Sequence, residues 1–261
     1  MAVKAELSNI ADEVMRKYHE LPMDFAGHVK VGRGASGSET SKIDKFAEDA
    51  VIEHVAHEGL DLNILSEEVG HIDRGAKKTL VLDPIDGTLN CTHGIPFFSV
   101  SLAICTDRMS DCDHALIRNL YTGDTYYARR GGGATLNDHR IGVSRYLADE
   151  SIFIIYDGKD AGTETEVVRN LPSRVRTMGC ASLEMCLVAQ GAVDGHYMNC
   201  SNPRRMIRIV DIAASALILR EAGGELCDLE GNKYDVRLSL DDRKNFLAYG
   251  DPVVKELVLR G

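Results

Sequence analysis

The sequence has no Cys-x-x-Cys pair, although seven cysteines are scattered through its 261 residues. A disulfide framework and a structural zinc site are therefore unexpected, and a reducing environment is expected. No apolar run approaches the ~18 residues that a membrane-spanning helix needs. The start, Met-Ala-Val-Lys-Ala-Glu-Leu-Ser, is not typical of a signal peptide. These absences predict a soluble cytoplasmic protein without a membrane partner.

Positive charge is also scarce, because 30 lysines and arginines are set against 40 aspartates and glutamates, for a net charge of −10. A duplex-binding protein usually carries a basic face, so nucleic acid is not expected as a partner. The sequence shows no internal repeat and no low-complexity tract. Its length fits one large α/β domain or two smaller domains that share an interface.

The most informative stretch spans residues 80–88 and reads Leu-Val-Leu-Asp-Pro-Ile-Asp-Gly-Thr. Its apolar, β-branched start predicts the end of a buried strand. Pro84 disfavours helix at Asp83, so the strand is expected to stop there in a turn. The turn aims the Asp83 and Asp86 carboxylates and the Ile85 carbonyl at nearly one point. Hard cations such as Mg²⁺ prefer oxygen ligands of this kind.

The next two residues, Gly87 and Thr88, offer backbone N–H groups at the expected start of a helical turn, which suits a phosphate group. The alternative is an Asp-rich surface turn in which both acids act as helix caps. A lone Asp-x-x-Asp favours that alternative, but the full string in residues 83–88 is far more specific. An acidic chain that handles phosphate esters needs local positive charge, and bound metal ions supply it.

The string in residues 83–88 resembles the signature of the inositol monophosphatase family, the Mg²⁺-dependent, Li⁺-sensitive sugar phosphatases. The resemblance extends over most of the chain, through Ser66-Glu67-Glu68, residues 178–191 and Ile209-Val210-Asp211-Ile212-Ala213-Ala214. The Gly/Ser-rich residues 32–38, followed by Ile43-Asp44, look most like the archaeal members, which resemble bifunctional fructose-1,6-bisphosphatase and inositol monophosphatase enzymes. The resemblance implies an α/β fold of the sugar phosphatase type, an α-β-α-β-α sandwich with alternating layers and mixed sheets, and a homodimer.

The resemblance also implies a metal centre with two or three Mg²⁺ ions, for which Mn²⁺ is expected to substitute. The first ion takes Glu67, Asp83 and the Ile85 carbonyl, and the second takes Asp83, Asp86 and Asp211. The four carboxylates are expected to converge without a basic partner. Taken alone, Asp211 could simply be a helix N-cap, and it becomes a ligand only in the company of the other acids.

The expected catalytic residues are Glu67, Thr88 and Asp44. Thr88, paired with a carboxylate, is expected to orient the attacking water and accept its proton by relay. Asp44 lies in the first turn of a helix predicted over residues 41–58, where it either complements the helix dipole or, by the resemblance, binds a weakly held third metal. Only one of the adjacent acids Glu67 and Glu68 can join Asp83, which leaves Glu68 as support or surface charge.

The substrate side departs from the inositol-selective members, which carry a Glu at about the position of Met198. A longer insert follows in residues 199–205 and ends in two arginines. These arginines and Arg176 are expected to bind a second phosphate, although each taken alone fits an exposed basic loop equally well. The complete set of expected substrate-binding residues is Asp86, Gly87, Thr88, Arg176, Ala181, Arg204 and Arg205.

The predicted activity is therefore Mg²⁺-dependent phosphomonoester hydrolysis in carbohydrate metabolism, with a place in gluconeogenesis. The best substrate candidates are fructose-1,6-bisphosphate and inositol-1-phosphate. One alternative is a nucleotide phosphatase acting on adenosine bisphosphate or NADP. Another is a non-catalytic regulatory protein on the same scaffold, against which the intact acids argue.

A composition shift near residues 142–149 predicts two subdomains. Residues 1–145 carry most metal ligands, and residues 146–261 carry Asp211 and the substrate-side residues. Three local predictions concern the first subdomain. Residues 23–29 are expected to form a short helix, residues 32–38 a mobile loop that is either a linker or an active-site lid, and residues 69–78 a charged loop.

Overall fold

The computed structural model describes residues 2–22, 27–35, 37 and 39–260. The helices are α1 Ala2–His19, α2 Lys42–His57, α3 Thr88–Thr92, α4 Thr165–Arg169, α5 Ala181–Ala189, α6 Ile209–Glu221 and α7 Pro252–Arg260. The first eight strands are β1 Lys30–Arg33, β2 Glu39–Ser41, β3 Asn63–Ser66, β4 Gly70–Ile72, β5 Thr79–Asp86, β6 Ser99–Cys105, β7 His114–Asn119 and β8 Thr125–Arg129. The remaining strands are β9 Gly133–Leu136, β10 His139–Arg140, β11 Ile152–Ile155, β12 Arg174–Arg176, β13 Gly195–Met198, β14 Glu225–Cys227 and β15 Phe246–Tyr249.

The described strands form a hairpin of β1 and β2 and two larger sheets. The eight-stranded sheet has the order β10-β9-β8-β7-β6-β5-β3-β4, and the five-stranded sheet has the order β12-β11-β13-β15-β14. In the first sheet β3 runs parallel to β5, whereas β4 lies antiparallel to β3 and β6 lies antiparallel to β5. In the second sheet β11 runs parallel to both β12 and β13. The predicted mixed sheets are confirmed.

Helices separate and cover the two large sheets. The apolar faces of α1 and α2 pack on one face of the eight-stranded sheet. Leu80 and Leu82 of β5 belong to the same buried cluster as these helices. Val81 points to the opposite face, where α5 and α6 fill the space between the sheets. On the far side of the five-stranded sheet, Val168 of α4 and Val254 of α7 complete a third cluster. The predicted α-β-α-β-α layering is confirmed.

The central helix α6 is buried from Ile209 to Leu219 because a sheet lies on each side of it. This burial explains why its sequence is apolar all round instead of amphipathic. The same cluster holds Val81 and Ile117 from the first sheet and Phe246 from the second. The division at residues 145 and 146 stays a prediction, and this core joins residues from both sides of it.

Strand β5 does not stop at Asp83 as predicted. It continues to Asp86, with Asp83 opposite Ser101 and Asp86 opposite Ser99 on β6, so the register shifts between the two acids. This is a β-bulge, which accommodates the missing N–H of Pro84 while the strand continues. The bulge, not a turn, presents the two aspartates.

Two other local predictions are also wrong in part. Residues 32–38 are not all loop, because Gly32 lies in β1, which pairs with β2. Residues 69–78 contain β4, which adds an edge strand beside β3. Residues 36 and 38 of the predicted loop and residues 23–26 of the predicted short helix lie outside the described residues, and residues 27–29 form a turn and bend.

Cys105 and Cys112 form a disulfide, which the cysteine count did not predict. The bond joins the end of β6 to the segment just before β7, two strands that lie side by side and antiparallel. The free cysteines of the described chain are all buried. Among the described helices, none combines the length and the apolar character needed to cross a membrane.

Candidate active site

The parallel pairing of β3 and β5 brings the acidic residues together. Ser66 at the end of β3 lies opposite Leu82 of β5. The next residues, Glu67 and Asp83, therefore lie side by side where β3 ends. Helix α6 packs against β5 and contributes Asp211 from its first turn. Three segments that are distant in sequence therefore meet beside the bulge.

Glu67, Asp83 and Asp211 each offer a carboxylate oxygen, and these oxygens lie within 4.8 Å of one another. Asp83 and Asp211 are buried. Burial, reinforced by the charges of Asp86, Glu67 and Asp211, raises the pKa of Asp83 well above its usual value. Because several anionic oxygens share one confined space, the group fits a hard divalent cation.

Asp86 is not one of this group of three but lies against the N-terminus of α5. One of its oxygens, Oδ2, accepts hydrogen bonds from the Ser182 N–H at 2.7 Å, the Ser182 hydroxyl at 2.5 Å and the Cys180 thiol at 3.1 Å. Burial raises the pKa of Asp86, and the bonds from Ser182 oppose that rise. These bonds fix the carboxylate while its other oxygen stays free of them.

We expect Ser182→Ala to lower kcat/KM about tenfold and to weaken the apparent affinity for Mg²⁺ by a similar factor. The change removes the hydroxyl bond that orients Asp86, and a residue that orients a metal ligand is typically worth 10–100-fold in affinity. Steady-state kinetics over a range of Mg²⁺ concentrations measures both effects. Ser215→Ala is the matched control, because the hydroxyl of this buried serine of α6 donates to the Ile212 carbonyl of its own helix. Equal effects of the two variants would contradict the orienting role.

Arg208 is the basic partner that the sequence analysis did not expect. Its guanidinium bonds the Glu67 carboxylate and reaches Asp211 at 3.0 Å, while its backbone N–H donates to Asp211 at 2.8 Å. Burial alone would lower the pKa of Arg208, but the charges of Asp211 and Glu67 raise it. The acids therefore do not converge without a basic partner. An acid-base pair three residues apart at a helix start was the available signal.

Asp211 is not the N-cap of α6, which was its alternative role in the sequence, because Arg208 holds that position and Asp211 is the third residue of the helix. Its carboxylate accepts the Arg208 N–H, which is the reciprocal bond of a capping box. It also places an oxygen in the acidic group with Glu67 and Asp83. The two roles use one carboxylate and do not exclude each other.

Asp44 and Thr88 form a hydrogen-bonded pair beside the acidic group. The Thr88 hydroxyl donates to Asp44 Oδ1 at 2.9 Å and also lies 3.1 Å from the Ile85 carbonyl oxygen. The other Asp44 oxygen accepts the Ser41 hydroxyl at 2.7 Å, within a capping box that begins α2. Burial raises the pKa of Asp44. The carboxylate that the sequence paired with Thr88 is therefore Asp44.

Gly87 connects the bulge to α3 and has a positive φ of 85°. A Cβ atom at this position would lie 3.1 Å from Cys180 Cβ and 3.2 Å from the Phe97 carbonyl oxygen. Glycine is therefore required both for the backbone conformation and for the close approach of α5. The predicted helical turn after Gly87 is present, because α3 begins at Thr88.

A cavity of about 390 Å³ opens over these residues. The predicted residues that line it are Glu67, Asp83, Ile85, Asp86, Gly87, Thr88, Ala181, Arg204, Arg205 and Asp211. Residues that the sequence analysis gave no role also line it, among them Tyr156, Glu184, Arg208 and Arg243. Met198, which stands where inositol-selective members carry a Glu, lies in the wall as well.

The three predicted arginines differ in position. Arg176 is exposed at the end of the edge strand β12 and is not among the residues that line the cavity. Arg205 lines the cavity but pairs with Asp160 at 3.0 Å. Arg204 lines the cavity, and its carbonyl accepts a bond from the Arg243 guanidinium at 2.8 Å. Of the three, Arg204 is the best placed for a substrate phosphate.

Glu68 turns away from the acidic group and supports the neighbouring hairpin. Its carboxylate accepts the Thr40 hydroxyl, and its carbonyl accepts the Ala35 N–H at 2.8 Å. Burial raises the pKa of Glu68 to about 7. The support role predicted for this residue matches these contacts.

Comparison with known proteins is consistent with this geometry. The model of the inositol monophosphatase family matches residues 1–256. A fructose-1,6-bisphosphatase/inositol-1-monophosphatase of Methanocaldococcus jannaschii is 34% identical over 88% of this chain and 87% of its own length. A solved inositol monophosphatase–fructose 1,6-bisphosphatase is 32% identical, with a TM-score of 0.86 over 98% of each chain. A bifunctional NADP phosphatase/NAD kinase of Methanococcus maripaludis is 31% identical over 96% of this chain but 47% of its own length.

Proposed function

Because the chain belongs to the inositol monophosphatase family and is a phosphoric monoester hydrolase, we propose that it uses Mg²⁺ to hydrolyse small sugar phosphates. The observation that carries the proposal is the acidic group of Glu67, Asp83 and Asp211 next to the Asp44–Thr88 pair. Mg²⁺ ions bound there would neutralise phosphate charge and make a water molecule more acidic. Glu67, Asp83, the Ile85 carbonyl, Asp86 and Asp211 would hold them. 

The Asp44–Thr88 pair supplies the proton acceptor. With its proton donated to Asp44, the Thr88 oxygen is left to accept a hydrogen bond from an attacking water and so to orient it. The proton then passes through the threonine hydroxyl to the Asp44 carboxylate. The raised pKa of Asp44 improves it as a base. No Ser, Cys or His nucleophile is needed, so the reaction proceeds without a covalent intermediate.

The backbone N–H groups of Gly87 and Thr88 would hold the phosphate oxygens at the start of α3. Arg204 would donate hydrogen bonds to a second phosphate, and Ala181 lines the same cavity. We therefore propose fructose-1,6-bisphosphate and inositol-1-phosphate as substrates, in agreement with the name of the Methanocaldococcus relative. A location in the cytoplasm, a homodimer, Mn²⁺ as a substitute ion and a third ion near Asp44 belong to the same proposal.

A nucleotide phosphatase is the second candidate. The Methanococcus relative is named an NADP phosphatase, and besides Arg208, which pairs with Glu67 and Asp211, three arginines line the cavity, namely Arg204, Arg205 and Arg243. Such a wall suits a substrate that carries several phosphates.

The two candidates are separated by kcat/KM values measured with Mg²⁺ over a small set of esters. The set is fructose-1,6-bisphosphate, inositol-1-phosphate, NADP, adenosine 3′,5′-bisphosphate and p-nitrophenyl phosphate. Preference for the first two supports the sugar phosphatase, and preference for NADP or the adenosine ester supports the alternative. Failure to hydrolyse any of the five would favour a non-catalytic regulatory protein.

We expect Arg204→Ala to lower kcat/KM for fructose-1,6-bisphosphate about 10- to 100-fold, because it removes one charge-assisted contact to a second phosphate. Inositol-1-phosphate has no second phosphate, so its kcat/KM should change little. Arg204→Lys should restore only part of the loss, because an ammonium lacks the planar fork of a guanidinium. Arg176→Ala is the control, since Arg176 lies outside the cavity. An unchanged ratio of the two substrates in Arg204→Ala would refute the contact.

A further inference from the structure

A second cavity, of about 810 Å³, lies next to the first. Its walls come from the β1–β2 hairpin on one side and from residues 202–205 with Arg243 on the other. Arg204, Arg205 and Arg243 line both cavities. The two cavities are therefore neighbouring compartments along one surface, and we call the second one the basic compartment.

The basic compartment concentrates positive charge in an acidic protein. Its charged lining residues are Lys30, Arg33, Glu39, Arg204, Arg205 and Arg243. Five of these six are cationic, although the whole chain carries a net charge of −10. Arg205 is partly neutralised by Asp160 at 3.0 Å. Cations gathered in a cleft create a local positive potential that attracts anions despite the net charge.

The hairpin that carries Lys30 and Arg33 is held against the metal centre. The Ala35 N–H donates to the Glu68 carbonyl at 2.8 Å, directly after the acidic Glu67. Gly34 lies so close that a Cβ atom there would sit 3.0 Å from Glu68 Cα. The base of the hairpin is joined to α2, because the Lys42 N–H donates to the Val29 carbonyl at 2.8 Å.

The opposite wall is also held in place. The Arg243 guanidinium donates to the Arg204 carbonyl at 2.8 Å, and the Asn202 side chain accepts the Arg204 N–H at 3.1 Å. The backbone of Arg204 is therefore fixed, and this residue lines both cavities. The cations of two separate segments are thus presented to the same space.

We propose that the basic compartment binds a second phosphate or diphosphate group of an elongated substrate whose phosphomonoester lies at the metal centre. Lys30 and Arg33 are then specificity-determining residues that bind the distal anion. The shared wall of Arg204, Arg205 and Arg243 connects the two ends of one ligand. This inference rests on the proposed phosphatase activity and extends it from compact sugar phosphates to elongated phosphate esters.

Two matched pairs of esters test the inference by kinetics. Each pair shares the ester that is hydrolysed, and only one member has a distal phosphate. The pairs are adenosine 2′-phosphate with 2′-phospho-ADP-ribose, and fructose-1-phosphate with fructose-1,6-bisphosphate. We expect Lys30→Gln and Arg33→Gln each to lower kcat/KM about tenfold for 2′-phospho-ADP-ribose and less than twofold for adenosine 2′-phosphate. Arg33→Lys should recover part of the loss.

The fructose pair reports how far the second phosphate must lie from the first. A loss of kcat/KM that is confined to 2′-phospho-ADP-ribose in the adenosine pair supports an elongated ligand. An equal loss in both pairs would overturn the elongated ligand in favour of a compact bisphosphate. Unchanged ratios in both pairs would overturn the whole inference. Lys77→Gln and Arg145→Gln are the controls, since both residues are exposed and line neither cavity.

A binding measurement separates this inference from the phosphatase proposal. ADP-ribose has the diphosphate but no phosphomonoester, so calorimetry with the Mg²⁺-loaded protein reports binding without turnover. We expect Lys30→Gln and Arg33→Gln to raise its Kd about tenfold and the controls to leave it unchanged. If the wild-type protein hydrolyses none of the four esters, the proposed phosphatase activity is contradicted. The Kd values for ADP-ribose then show by themselves whether the basic compartment binds a diphosphate. The Kd for ADP-ribose could rise in Lys30→Gln and Arg33→Gln while the kcat/KM ratio within each pair of esters stays constant. That result would overturn the inference in favour of a separate anionic ligand.

Discussion

EDTA is expected to abolish hydrolysis of every substrate, and excess Mg²⁺ is expected to restore it. Glu67, Asp83, Asp86 and Asp211 line the cavity, and Arg208 is paired with two of them. Without divalent cations the carboxylates repel the phosphate of a substrate, and no group remains to increase the acidity of the attacking water. The measurement is the rate of phosphate release before and after dialysis against EDTA.

Mg²⁺ should also raise the melting temperature, because a ligand that binds only the folded state stabilises it. Arg208 already offsets part of the repulsion, so the shift should be smaller than four unpaired acids would produce. Asp83→Asn, which removes the most buried acid of the group of three, should abolish most of the shift. Full activity in EDTA would refute the mechanism, whereas a rate lost without any thermal shift would place the metal elsewhere.

Asp86→Asn and Asp211→Asn should each lower kcat by roughly two or more powers of ten, which corresponds to at least ~2.7 kcal/mol of activation free energy. Each change removes a negative charge that would bind the proposed second ion, while it keeps the size of the side chain. At position 86, the donors on Ser182 require an acceptor, so the amide oxygen would face α5 and the amide NH₂ would face the metal centre. At position 211, the change also weakens the pairing with Arg208.

The control for both variants is Asp61→Asn, at an exposed position outside the cavity. Melting temperatures of all three proteins separate a loss of catalysis from a loss of folding. A fall of less than threefold in kcat for Asp211→Asn would show that its carboxylate serves only in the capping box with Arg208. The same result for Asp86→Asn would show that its carboxylate serves only to hold α5 against the bulge.

Local patterns in the sequence predicted the elements well. The three- and four-residue spacing of Leu7, Ile10, Ala11 and Val14 is typical of an amphipathic helix, and in α1 these residues are buried against the first sheet. The helix predicted over residues 41–58 is also present as α2, with Ser41 as its N-cap. Periodicity works here because one buried face repeats at the period of its own element. The bulge in β5 was missed because it depends on the pairing with β6.

The chemistry of residues 83–88 was likewise readable from the sequence, because Asp, Pro, Gly and Thr adjacent in the chain must lie together in space. The sequence did not reveal which distant side chains contact this site. Arg208 reaches Glu67, 141 positions away, only because α6 packs on β5 beside the end of β3. Ser182 reaches Asp86 only because Gly87 lets α5 approach.

The sequence by itself determined which acids are available, which elements carry them and which family they resemble. The tertiary structure alone decided which acid accepts from Thr88, which arginines line the cavity over the acidic group, and that Lys30, Arg33 and Arg243 line one cavity. The physical reason is that the two kinds of interaction act over different separations along the chain. Backbone preference and side-chain periodicity act within a few residues, whereas hydrogen bonds and ion pairs act between any groups that the packed layers bring within a few ångströms.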